Sequence, residues 1–119
     1  MEDTTVTWKI FITYMFLLLL MLLCGSLFGQ VTVTHYNAGW NNANDVKWLS
    51  ELSDCDITKV DIAKKPKQQA RHKIVVVPTI IIFKDGEEVK RFQADISFSM
   101  KATREELQDV INEQLMSDF

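Results

Sequence analysis

Cysteine is nearly absent. The 119 residues hold two, Cys24 and Cys55, and Cys24 lies inside a long uncharged run. If that run is removed, Cys55 stands alone, no internal disulfide can form, and the remaining domain must be held by packing. Charge of one sign is lacking as well. The formal net charge is −3, and residues 30–119 carry 12 basic and 14 acidic side chains, so nothing in the balance calls for nucleic acid. With four glycines and two prolines there is no low-complexity linker, and no segment repeats. The two histidines, His35 and His72, have no thiol or acid cluster spaced around them, so neither a metal site nor a cofactor is expected.

What is abundant lies first at the N-terminus. Residues 10–23 read IFITYMFLLLLMLL without a charge, and CGSLFG extends the run to Gly29. That length falls between a signal-peptide core and a spanning helix. Gly25, Ser26 and Gly29 suit a processing site, and only Gln30 separates the run from the first strand-like residue, Val31, which would leave an anchored domain no spacer. Against cleavage stand Glu2 and Asp3 beside a lone Lys9, and Leu27 three positions before a cut after Gly29. A lipoprotein reading through Cys24 is disfavoured by Leu23. Two readings remain open for residues 1–29, a cleaved signal peptide or a membrane anchor. Either makes residues 30–119 an exported domain, periplasmic or in the cell envelope, or held at the membrane on its non-cytoplasmic side. Membrane contact is expected only if residues 10–29 are retained.

The rest alternates between strand and helix signals. VTVTHY (31–36) is β-branched and alternating, ITKVDI (57–62) is a second strand, and IIIF (80–83) is apolar on both faces, as a doubly covered strand would be. Asp85 and Gly86 make a hairpin turn into 87–94. The alternation of Phe92, Ala94, Ile96, Phe98 and Met100 predicts extended backbone toward Met100, and Val89, out of phase, predicts a bulge between Val89 and Phe92. Val46, Leu49 and Leu52, with Trp48, predict a short amphipathic helix. Pro66 opens a polar helix over KPKQQARHK, and Thr103 with Glu106 forms a capping box before the stripe Leu107, Val110, Ile111 and Leu115. The order βαβαββα implies one α/β domain with a central mixed sheet flanked by helices.

Lys59, Asp61, Pro66, Ala70, Ile74, Pro78, Thr79, Phe83 and Gly86 fall at the spacings of the thioredoxin family, and Trp40 stands where that family has the Trp before its two cysteines. From Val31 to about Leu115 the chain resembles that family, lacking the strand and helix that open a full-length member and adding residues 95–100 before the last helix. The resemblance implies a thioredoxin-like fold with a cis bond before Pro78. In the family a Cys-x-x-Cys pair starts a helix whose dipole lowers the first thiol's pKa. Here those positions are Asn41 and Asn44, and the family's buried acid falls at His35. No catalytic residue is expected at this site.

Each of these residues also has a bland reading. Asn41 and Asn44 are good helix N-caps. Trp40 could be a recognition platform or a lid, and Pro78 could simply end a loop. The alternative is a peptide groove of Trp40, Asn41, Val77 and Pro78, in which the backbone of Val77 pairs with an extended partner. Cys55, between Asp54 and Asp56, reads as a structural thiol. His35 reads as a hydrogen-bonded core residue and His72 as solvated. Lys64, Lys65, Lys67, Arg71 and Lys73 read as a solvated face, with an acidic surface or headgroups as the other possibility. Three functions compete: a protein-binding or structural module without redox chemistry, a thiol-disulfide enzyme working through Cys55 or a partner's thiol, and a membrane-anchored subunit of an envelope complex. No sequence feature names the partner, which would be a protein or peptide.

Overall fold

A computed structural model describes the backbone of residues 2–25 and 30–117, with side chains described over 7–20 and 30–117. The N-terminal helix α1 spans Glu2–Gly25. Its described apolar side chains, Ile10 to Leu20, are exposed all round, with no polar face. Among the described residues, no helix is long and apolar enough to cross a membrane. Ser26 to Gly29, where a processing site is expected, and the side chains of Glu2, Asp3, Leu23 and Cys24 lie outside the described residues.

The domain over residues 30–117 runs β1 (Val31–Asn37), two short 3₁₀ helices (Gly39–Asn44 and Lys47–Glu51), β2 (Asp56–Asp61), α2 (Pro66–Arg71), β3 (Thr79–Lys84), β4 (Glu87–Gln93) and α3 (Arg104–Met116). The sheet order is β2-β1-β3-β4. β2 lies parallel to β1, with β3 and β4 antiparallel to their neighbours. The expected α/β, thioredoxin-like architecture with a mixed sheet is the one observed.

Period-two alternation divides the interior into two faces. Val31, Val33, Ile80 and Ile82 pack with Leu49, Leu107 and Ile111 under the second 3₁₀ helix and α3. Tyr36 and Ile81 pack on the opposite face with Ile62, Ile74 and Val77, near α2. Ile80, Ile81 and Ile82 are therefore buried on both sides of one strand, each stabilising the fold by about 2 kcal/mol relative to exposure. The Thr103 hydroxyl accepts the Glu106 N–H at 3.2 Å and caps α3.

Asp85 (φ 53) and Gly86 (φ 84) both take the left-handed conformation that a two-residue hairpin turn requires. The bulge falls on Val89: Ile82 pairs with Lys90 and Phe83 with Glu88, leaving Val89 without a partner in the ladder.

Three expectations are corrected. The segment after Trp40 forms two 3₁₀ helices rather than an amphipathic α-helix. Extended structure ends at Gln93 and does not continue to Met100. Residues 95–98 instead fold into a turn in which Phe98 N–H bonds the Asp95 carbonyl at 3.0 Å. Asp95 Oδ1 accepts the Ser97 N–H at 2.9 Å, the local side-chain bonding by which Asp favours turns over strands. His72 is not solvated, because its ring lies between those of Tyr36 and Phe83, at centroid distances of 5.6 and 5.5 Å.

Candidate functional site

Three stretches meet at one end of the sheet because of strand direction alone. Tyr36 of β1 pairs with Thr79 of β3, and Thr79 with Gln93 of β4. The turn leaving β1 (Gly39–Asn44), the residues entering β3 (Val77 and Pro78) and the segment leaving β4 (residues 94–100) must therefore converge. The Val77–Pro78 peptide bond is cis, and the Pro78 carbonyl accepts the Ala94 N–H at 3.0 Å.

Asn41 sits at the centre of this convergence with 6% of its surface exposed. Its Nδ2 donates to Asn37 Oδ1 at 3.0 Å, to the Phe98 carbonyl at 3.3 Å and to the Val77 carbonyl at 3.4 Å. Its Oδ1 accepts Asn44 Nδ2 at 2.8 Å. Asn37 Nδ2 in turn donates to the Asn41 carbonyl at 3.1 Å and to Asp45 Oδ1. The Ser99 hydroxyl reaches Asn44 Oδ1 at 3.4 Å.

Neither asparagine acts as the expected N-cap. The residues before the two 3₁₀ helices are Ala38 and Val46, neither making a side-chain cap, and Asn41 and Asn44 lie within the first helix. Asn41 breaks its regularity with φ −114° and ψ 22°.

The four residues expected to form a groove are placed unequally. Trp40 is 68% exposed, whereas Val77 is 3% exposed and Pro78 is fully buried. The Trp40 ring meets Phe98 edge to face at 5.4 Å. Phe98 is 42% and Ile96 98% exposed. With Trp40 they are large exposed apolar side chains at this end of the sheet, and Val75, two residues before Val77, is exposed as well.

His35 lies beneath the site on the central strand, buried, with Nε2 accepting the Val46 N–H at 3.3 Å. An accepting Nε2 is unprotonated, which places the ring proton on Nδ1. Burial pushes the imidazole pKa down, assisted by Lys59 and opposed by Asp45. A cavity of about 200 Å³ beside it is lined by His35, Asn37, Asn42, Asp45, Lys59 and Asp61. Cys55 is half-buried against the main core, and burial together with Asp56 and Asp54 pushes its thiol pKa up. Among the described residues, no group of three His, Cys, Asp or Glu side chains could hold a metal ion. Lys64, Lys65, Lys67, Arg71 and Lys73 are exposed.

Sequence reasoning misses Asn37, Phe98 and Ser99 as parts of the site. The density of asparagine over residues 37–44 is the available signal, since buried carboxamides must find partners.

A mixed sheet with helices on both faces and a cis-proline loop opposite a Trp-led turn defines a thioredoxin fold. The thioredoxin family model matches residues 39–113, and the chain belongs to the thioredoxin family. It is 43% identical over 42 residues to a thioredoxin of Chlamydia trachomatis, covering 35% of this chain and 41% of that protein. It is 35% identical over 60 residues to one of Staphylococcus epidermidis, covering 50% and 52%. The matched stretch thus spans about half the length of these relatives. Among solved structures, a thioredoxin of Fasciola hepatica superposes with a TM-score of 0.56 at 27% identity, covering 80% of this chain and 90% of that one. A mutant thioredoxin of Halobacterium salinarum superposes with 0.59 at 22% identity, covering 72% and 75%.

Proposed function

We propose that this chain is an exported thioredoxin-fold domain that binds a protein partner without thiol chemistry. The observation that carries this reading is the asparagine pair. The two positions that would hold sulfur carry carboxamides engaged with each other, with Asn37 and with the Val77 and Phe98 carbonyls. A carboxamide supplies no nucleophile for disulfide exchange, and His35, kept neutral by burial, stands where an acid would exchange a proton. Cys55 does not substitute for them, because its raised pKa suppresses the thiolate that exchange requires. What remains at the site is a binding surface. Trp40 stands exposed beside Phe98 and Ile96, above the buried carbonyl of Val77, and an extended partner segment would dock there with micromolar affinity, as is usual for small interfaces. The apolar α1 supports export, with residues 1–29 serving as signal peptide or membrane anchor.

The test is reduction of a model disulfide by the purified chain, compared with Cys55→Ala. Equal, background-level rates are expected, and a rate above that of Cys55→Ala refutes the reading. Export is tested by sequencing the mature N-terminus: a start near Gln30 is expected for a cleaved signal, and an intact Met1 in the membrane fraction favours the anchored-subunit alternative.

A further inference from the structure

Residues 95–100 are held against the Trp40 end of the sheet by contacts of the kind a bound peptide would make. The Phe98 carbonyl shares the Asn41 amide with the Val77 carbonyl. The Phe98 ring lies edge-on to Trp40 at 5.4 Å, and one residue later the Ser99 hydroxyl reaches Asn44. Backbone, aromatic and hydroxyl contacts thus come from consecutive residues of one short segment. The aromatic one falls on Trp40, and the backbone and hydroxyl ones fall on Asn41 and Asn44, the two positions that distinguish this chain chemically from a dithiol thioredoxin. The segment is anchored rather than buried. Phe98 holds φ at 61°, a left-handed conformation that a bulky residue rarely adopts unless its surroundings impose it, while Ile96 and part of Phe98 face solvent.

We propose that residues 95–100 are an internal ligand of this site, and that the external partner is a peptide segment of the same pattern, able to take the same turn, which displaces them. That pattern is a large apolar or aromatic side chain for Trp40, its own carbonyl for Asn41 Nδ2, and a hydroxyl on the next residue for Asn44 Oδ1. Because the segment is tethered at both ends, its effective concentration is in the millimolar range. It therefore excludes weak ligands and admits only those that match the pattern. The proposal rests on reading the site as a binding surface, yet the two fail separately: disulfide reduction refutes that reading, whereas peptide binding is measured without any thiol.

Phe98→Pro opens the segment selectively. Proline is fixed near φ −65°, so it cannot take the observed conformation, and it lacks the N–H that bonds the Asp95 carbonyl. The probe is a fluorescent synthetic peptide of residues 93–101, titrated into the full-length chain and followed by anisotropy after circular dichroism has confirmed the fold. Phe98→Pro is expected to bind it at least tenfold more tightly than the parent, and Phe98→Pro with Trp40→Ala is expected to lose that gain. Phe98→Ala with Ser99→Ala, which removes the ring and the hydroxyl without altering the backbone, carries the same test should the proline variant not fold, with a gain of at least threefold. A folded opened variant that binds the peptide no better than the parent overturns the proposal, as does a gain that survives Trp40→Ala.

Discussion

Asn41→Ala removes one carboxamide and tests whether the network or the surrounding packing holds this end of the sheet together. The two short hydrogen bonds, to Asn37 Oδ1 at 3.0 Å and from Asn44 Nδ2 at 2.8 Å, are worth about 1 kcal/mol each net. The longer ones to Phe98 and Val77 contribute less. Asn37 is buried, so its Oδ1 would be left without a partner, at a further cost of about 1 kcal/mol or more. The expected loss is about 3 kcal/mol, an appreciable part of the roughly 0.1 kcal/mol per residue that stabilises a small domain. Asn44→Ala leaves the buried Asn41 Oδ1 without its donor, whereas the half-exposed Ser99 hydroxyl can turn to water, so it should cost about 2 kcal/mol. Asn41→Asp keeps the shape and the acceptor for Asn44 but turns a carboxylate toward three oxygens, and should cost at least as much as Ala. Urea titration with a shared slope measures all three variants. If Asn41→Ala and Asn44→Ala lose the same amount, or Asn41→Asp is as stable as the parent, the network is incidental and the reasoning fails.

Two further predictions concern protonation and sulfur. His35 has a folded pKa depressed below its unfolded 6.5, chiefly by burial. The unfolded chain therefore binds the extra proton first, and stability is full above about pH 6.5 and falls as pH drops from there toward the folded pKa. His35→Gln should flatten that slope between pH 7 and 5, a window above the acid range of Glu88, whose pKa is lowered by its hydrogen bond to Arg91; an unchanged slope in denaturation midpoints would remove His35 as the cause. Asn41→Cys with Asn44→Cys, in a Cys55→Ala background, places two sulfurs at positions whose side chains already meet, Asn44 Nδ2 lying 2.8 Å from Asn41 Oδ1. They should pair on mild oxidation, and thiol titration that still finds both free would show that the side chains diverge.

The strands are legible in the sequence because β-branched residues recur with period two and the short apolar run 80–83, buried from Ile80 to Ile82, ends at a hairpin turn. α3 is legible because its cap and apolar stripe agree. The turn after Trp40 misleads for a physical reason. Val46, Leu49 and Leu52 are spaced by three, the period of a 3₁₀ helix, while Trp48 and Leu52 supply the step of four that an α-helix also uses. Over so short a segment the apolar spacing fits both conformations. Residues 95–100 mislead because their alternation outweighs their chemistry. Asp95, Ser97 and Ser99 occupy the outward positions of a strand, yet Asp95 bonds backbone two residues on and closes a turn. His72 escapes prediction because α2 ends at Arg71, which leaves the imidazole free to fold onto the rings of Tyr36 and Phe83.

The family resemblance locates the site, but what the asparagines do there depends on contacts between segments far apart in sequence, which no local pattern encodes. A cysteine pair at the head of this turn would put two thiols beside the Val77 loop and leave the Phe98 carbonyl without its donor. The asparagine pair supplies donors for Asn37, Val77 and Phe98 and an acceptor for Ser99. Both arrangements occupy the same two positions, and a carboxamide and a thiol cannot occupy one position together. Restoring sulfur at both positions therefore removes the polar contacts that hold residues 95–100 and leaves the Trp40–Phe98 contact, so at this site a thiol pair weakens the closed segment. A thiol-bearing variant should gain an accessible groove at the same moment that it loses the bonds keeping that groove filled.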